Sequence, residues 1–319
     1  MVMVWLPSEI WSERRLDGLA PAAAGDAAFR IFCTPSISER RASNHRQLTE
    51  RARYHLRNAR WQRVETPVGE IQAYIFEPER QIARGLVLIV HGWTGESSFM
   101  TAIAEAIRRN GFRVGLFDLP AHGLSSGRST NLIDCARATV SVAEQLGSIH
   151  ALVTHSFGGL ISLVAAEGHS PMPGRLAAEH IVLIASPNRL TDVTDHFSRH
   201  WKLSDPGRKA FEHRLERVGG RTLDCFTAVR LLPASGMRGL VVHAPDDIDV
   251  PFRCAEEIVA GVPGMKLHTF DGLGHRNILF APQVARTVTS YLKSTVQQTE
   301  EHRAPQSFIE NAPSASVHA

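Results

Sequence analysis

Six residues, Thr154, His155, Ser156, Phe157, Gly158 and Gly159, constrain this chain more than any others, because an apolar run (151–153) precedes them and a second (160–165) follows. The first run has the character of a buried strand and the second that of a buried helix. Ser156 then stands on a sharp strand-to-helix turn, its hydroxyl held clear of the sheet, and the N–H groups of the new helix point toward negative charge forming beside it. The spacing approaches Gly-x-Ser-x-Gly, with Gly158 at the second glycine and Thr154 in place of the first. Threonine crowds such a turn, and an ordinary Gly-Gly helix start carrying a surface serine is the competing interpretation.

A serine hydroxyl is a weak nucleophile until a histidine takes its proton and a carboxylate holds that histidine in one tautomer. Downstream, the strand-like run 239–244 ends in a loop with three candidate acids, Asp246, Asp247 and Asp249. A further strand-like run (266–270) leads into Asp271, Gly272, Leu273, Gly274 and His275. Serine, acid and histidine therefore occur in that order, each at the end of a strand.

Over roughly residues 61–295 these features resemble an α/β-hydrolase fold serine hydrolase of the esterase/lipase-like branch. In that family the acid commonly lies in an Asp-x-x-Val-Pro frame, which selects Asp247, and the base in a Gly-x-Gly-His loop, which selects His275. Asp246 and Asp249 are then left as turn and helix-capping residues, with a helix starting near Pro251. The resemblance also implies an oxyanion hole of two backbone N–H groups: Phe157, after the nucleophile, and Trp93, in the His91-Gly92-Trp93 loop after the apolar run 86–90. The Trp93 indole is expected to wall a pocket or to cover the core. His91 and His155 are expected to be structural, with the His155 side chain on the face of the sheet away from Ser156. The stretch 118–127 resembles the family's Asp-x-x-Gly-His-Gly-x-Ser loop, with Ala121 at the usual glycine; Asp118 and His122 are expected to tie that loop together, with no catalytic role for Asp118 or Ser125.

Strands and helices alternate along most of the chain, which predicts a mostly parallel, eight-stranded sheet with helices on both faces, opened by a hairpin across Pro67 and Gly69. Helices are expected near 99–110, 132–146, 157–167, 252–259 and 283–293. The core is assigned to 61–188 and 237–295. Residues 189–236 break the alternation, are polar and helix-like, and occupy the position of the family's cap. Their apolar residues Phe197, Trp201, Phe211, Leu215 and Phe226 are expected to include some that face Ser156. His196 and His200 are four apart, but no glutamate accompanies them in a zinc motif, so no metal is expected.

With 319 residues, 43% of them hydrophobic, the chain can bury one large core, and a net charge of +3 is too small at this length to imply nucleic acid. The four cysteines, Cys33, Cys135, Cys225 and Cys254, form no paired motif and read as buried thiols. Charged residues interrupt the N-terminal apolar residues before a signal-type stretch develops, and no run is long enough to span a membrane. A cytoplasmic location is the expectation. Residues 1–60 read as an extension whose arginine-rich part, 36–60, holds a docking helix with Leu48, Ala52, Leu56 and Ala59 on one face. Residues 296–319 read as a disordered tail.

The resemblance thus implies a cofactor-independent hydrolase that cleaves a carboxylic ester of a small acyl substrate through an acyl-enzyme. Thioesterase, amidase, peptidase or acyltransferase chemistry would use the same residues, and a non-catalytic receptor for a small ligand is the alternative from another class. Oligomeric state is not legible in the sequence.

Overall fold

The computed structural model describes residues 16, 18–35, 50, 53–78 and 84–303. Eight strands form one sheet in the order β1-β2-β4-β3-β5-β6-β7-β8. The opening hairpin, β1 (Arg60–Thr66) and β2 (Gly69–Phe76), is antiparallel, and β2 also runs antiparallel to β4 (Arg113–Phe117). From β4 onward every pairing is parallel, through β3 (Leu86–Val90), β5 (Ile149–His155), β6 (His180–Ile184), β7 (Arg238–His243) and β8 (Lys266–Thr269).

Parallel strands need crossovers, and these place helices on both faces, so the central strands are apolar on both sides. In β3, Leu86, Leu88 and Val90 join one core cluster while Val87 and Ile89 join the other. The helices Leu132–Leu146 and Gly158–Glu167 cover the first face; Thr101–Arg109 and Pro282–Arg303 cover the second. Each fully buried aliphatic side chain in these layers stabilises the fold by about 1.5–3 kcal/mol relative to exposure. β3 has β4 on one side and β5 on the other, so the chain changes its winding direction there. In open sheets the crevice at such a switch point, beyond the carboxyl ends of the strands, is where ligands bind. The loop after β3 and the turn carrying Ser156 flank that crevice.

Three expectations are corrected. The last helix continues to Arg303, so residues 296–303 are helical rather than tail, and 304–319 lie outside the described residues. Within 189–236, the helices Leu190–His200 and Asp205–Gly219 form the insertion, whereas Ala228–Ser235 packs on Gly158–Glu167 and belongs with the core helices. The N-terminal region holds a helix at Pro21–Phe32 that was not anticipated. Its buried residues, Ala24, Gly25, Ala28 and Ile31, follow helical spacing, and Pro21 suits a first turn that needs no N–H. Of the expected docking helix, Leu48 and Ala52 lie outside the described residues; 53–56 are helical, and Leu56 and Ala59 are buried against the second face. No helix of the described residues is long and apolar enough to cross a membrane.

Candidate active site

β5 ends at His155, and the chain turns at Ser156 with φ of +53°, a left-handed conformation that a residue with a side chain rarely adopts. The turn is held from two sides. The Ser156 N–H donates to the Ile184 carbonyl at 2.8 Å, and the helix Gly158–Glu167 begins directly afterwards. Gly158 is required by proximity, because a Cβ there would lie 2.6 Å from the carbonyl oxygens of Val90 and His91. Thr154, in the place of the usual first glycine, is fully buried and donates its hydroxyl to the Val182 carbonyl at 3.0 Å. The sheet therefore absorbs the threonine instead of the turn.

Asp247 and His275 come to Ser156 from loops after β7 and β8. Ser156 Oγ lies 3.0 Å from His275 Nε2, and His275 Nδ1 lies 2.8 Å from Asp247 Oδ2. A carboxylate only accepts, so the ring hydrogen sits on Nδ1 and Nε2 is left to accept from the serine hydroxyl. Asp247 Oδ1 is fixed by the N–H groups of Asp249 and Val250, at 2.9 and 2.8 Å. His243, fully buried, donates from Nε2 to the Val250 carbonyl at 2.9 Å; burial pushes its pKa down, so it stands beside Asp247 as a neutral ring.

The other two aspartates do not cap a helix: the helix starts at Arg253, and Phe252 at its N-cap makes no side-chain cap bond. Asp246 Oδ1 instead accepts from the Gly272 N–H at 2.9 Å and ties the acid loop to the histidine loop. Asp249 borders a pocket, and loss of hydration pushes its carboxyl pKa up. His155 is structural, as expected, but its ring meets the histidine loop. Its Nε2 hydrogen donates to the His275 carbonyl at 2.9 Å, and the two rings are 4.7 Å apart. Strand alternation sets which way a side chain leaves the sheet, but not which loop folds over the strand end to meet it.

The loop after β3 lies against the serine. A Cβ on Gly92 would come within 2.9 Å of the Ser156 Cβ, so glycine permits the approach that brings the Trp93 backbone to this side of the site. Two histidines hold the loop. His91 donates from Nδ1 to Gly92 O at 2.8 Å and accepts the Leu119 N–H on Nε2 at 3.0 Å. His122 donates from Nδ1 to Pro120 O at 2.9 Å and accepts the Thr94 N–H on Nε2 at 3.2 Å. Each ring must stay neutral to accept, and burial lowers their pKa values to about 4 for His91 and about 3 for His122. Asp118 accepts from Tyr74 OH and from the N–H groups of Ser97 and Leu124, and Ser125 Oγ donates to Asp118 O, so this loop is bound as expected.

Beside the site is a pocket of about 100 Å³, bordered by Trp93, by Asp249 and Val250 of the acid loop, by Val193 and Phe197 of the insertion, and by Phe32. Of the five insertion residues, some of which were expected to face Ser156, Phe197 lines this pocket, whose lining includes none of Ser156, Asp247 and His275. Trp201, Phe211, Leu215 and Phe226 are buried within the apolar core beneath the insertion. Phe32, from the unanticipated N-terminal helix, is the pocket residue with no motif to announce it. The spacing of Ala24, Ala28 and Ile31 ahead of it is the signal that points to its helix.

The sequence matches the family model described as alpha/beta hydrolase fold over residues 85–212, a span that contains Trp93, Ser156 and Phe157 and ends before Asp247 and His275. No curated protein gives a significant match. Among solved structures, a structure from work on carboxylesterases of Nitrososphaera gargenis is 19% identical, covers 75% of this chain and 100% of its own, and has a TM-score of 0.55. Est1E from Butyrivibrio proteoclasticus is 16% identical with a TM-score of 0.57, over 74% of this chain and 99% of its own. Proline iminopeptidase from Mycobacterium smegmatis is also 16% identical with a TM-score of 0.57, over 75% of this chain and 100% of its own. At these identities the likeness speaks for the fold.

Proposed function

Because the chain has the α/β-hydrolase fold, we propose that it is a serine hydrolase that cleaves a carboxylic ester of a small acyl substrate without a cofactor. The observation that carries this reading is the relay from Ser156 through His275 to Asp247, with both hydrogen bonds at 3.0 Å or less. Ser156 Oγ would attack the ester carbonyl as its proton passes to His275 Nε2. Asp247 would hold the Nδ1 hydrogen and stabilise the imidazolium that forms. The Trp93 and Phe157 N–H groups would receive the oxyanion, and the proton would then go from Nε2 to the leaving alcohol. Water activated by the same histidine would release the acid and restore the serine.

Carboxylesterases among the structural neighbours support the ester reading, while the iminopeptidase shares the fold with a different bond to cleave. Purified protein should therefore be given p-nitrophenyl esters, acyl thioesters and aminoacyl amides of matched acyl groups. Faster turnover of the esters, by at least about tenfold in kcat/KM, is the expected result; a preference for either other class overturns the ester assignment.

A further inference from the structure

The helix Pro21–Phe32 lies outside the span matched by the family model and plays no part in the relay. It is nonetheless packed against the insertion and reaches the pocket beside the acid loop. Gly25 crosses the insertion helix Asp205–Gly219 at backbone distance: a Cβ on Gly25 would come 2.6 Å from the Ala210 Cβ and 2.8 Å from the Ala210 carbonyl carbon. Gly207 faces back, with Ala24 Cβ 3.2 Å from where its own Cβ would stand, and Asp26 pairs with Arg214. Beyond the helix, Cys33 O accepts the Thr130 N–H at 2.8 Å, which anchors the end of the helix to the core.

This docking brings the Phe32 ring to the pocket. Its centroid lies 5.1 Å from Phe197 edge to face, 5.4 Å from Phe211, and 6.2 Å from Trp93 with the planes 20° apart. Three aromatic rings from separate parts of the chain, Phe32, Trp93 and Phe197, thus wall a space of about 100 Å³. The rest of the lining is mixed: Asp192, His196 and Asp249 are ionisable, and the exposed side chains of Ile248, Arg199 and Arg253 lie toward solvent. An apolar cavity of about 150 Å³ holds benzene, so this pocket is sized for an apolar group of about four carbons.

We infer that Phe32 is a specificity-determining residue: the N-terminal helix supplies the wall that limits this hydrolase to esters whose apolar group is compact, and excludes long chains. The inference rests on the function proposed above. Without the ring, Phe197 and Trp93 lose their neighbour and the pocket opens toward the N-terminal helix, so longer chains fit. The helix needs no catalytic group for this role; it needs only to hold one ring in place against the insertion.

The test uses the full chain and two ester series, p-nitrophenyl esters with acyl groups of about two to ten carbons and butyrate esters of alcohols over the same range. The unmodified protein should turn over groups of about four carbons best. Phe32→Ala should raise the ratio of kcat/KM for eight-carbon over four-carbon groups by about 10 to 200-fold in at least one series. Phe32→Leu, a milder change that keeps the apolar contact, should move the ratio the same way by less. Gly25→Leu, which forces the two helices apart without touching the pocket, should also raise it. Phe226→Leu, in the packing below the insertion, should lower Tm and leave the ratio unchanged. A fluorophosphonate probe should label Ser156 in every variant. Labelling retained with unchanged ratios in both Phe32 variants overturns the inference alone; no labelling and no turnover in the unmodified protein overturns the hydrolase reading, and the inference with it.

Discussion

Gly92 and Ser156 are packed so closely that a single added carbon on the glycine would lie 2.9 Å from the serine Cβ, nearer than real Cβ contacts allow. In the proposed mechanism this close approach keeps the neighbouring Trp93 N–H beside the serine. Gly92→Ala has to push the loop away, and its other walls, His155 Nδ1 at 3.1 Å and His155 O at 3.2 Å, are tight as well. Loss of oxyanion-hole geometry costs about 10²–10³ in kcat. The expected outcome for Gly92→Ala is a fall in kcat of that order with KM changed far less, measured on a p-nitrophenyl ester after circular dichroism has shown a native fold.

The acid loop makes a sharper comparison. Asp247→Asn should lower kcat by about ten-thousandfold, because the amide can favour the wrong tautomer of His275. Asp246→Asn removes the negative charge from the Gly272 tie, and Asp249→Asn alters a pocket wall while its backbone N–H still binds Asp247. Each of those two should retain activity within about tenfold of the parent. Steady-state kinetics on the three purified variants decides it: a larger loss in Asp246→Asn or Asp249→Asn than in Asp247→Asn contradicts the assignment.

The two loop histidines make stability depend on pH. Their pKa values are lowered by burial, to about 4 and about 3, from the ordinary value of 6.5, so between these limits the unfolded chain binds protons that the folded chain refuses. Their contribution is complete above pH 6.5 and falls as pH drops toward about 4 for His91 and about 3 for His122, by about 1.4 kcal/mol per pH unit for each ring. Asp118, whose pKa is raised by burial, acts in the opposite sense. Urea unfolding between pH 7 and 5 should show the loss, and His122→Gln should make the slope shallower by about one proton. An unchanged slope in that variant would mean that His122 is not held neutral.

The parts of this site that could be read along the chain are those encoded within a few consecutive residues. The turn at Ser156, the acid loop through Val250 and the Gly272-Leu273-Gly274-His275 loop each carry their own backbone requirements, so each was visible without the fold. The strand alternation was equally local, since burial on both faces leaves apolar runs such as Leu86–Val90. The pocket was legible only in part: Trp93 and Phe197 were among the candidates for its wall, and Phe32 was not. Phe32, Trp93, Phe197 and Val250 meet only because four separated segments converge, and no local pattern marks the ring that will face the cavity. Trp201, Phe211, Leu215 and Phe226 are equally apolar, and pack inward. The last helix was underestimated because its apolar stripe fades after Val296, although no proline interrupts it before Pro305.

The central claim is that Ser156 is the nucleophile, and one measurement tests it most directly. Purified protein is incubated with a fluorophosphonate, digested, and analysed by mass spectrometry for the labelled residue, beside Ser156→Ala assayed on a p-nitrophenyl ester. Ser156→Ala removes one oxygen from a buried position and should leave Tm within a few degrees of the parent. The account predicts the phosphonyl adduct on Ser156 and a loss in turnover of at least about a thousandfold in the folded variant. An adduct on another residue, or near-normal turnover by Ser156→Ala, would contradict it.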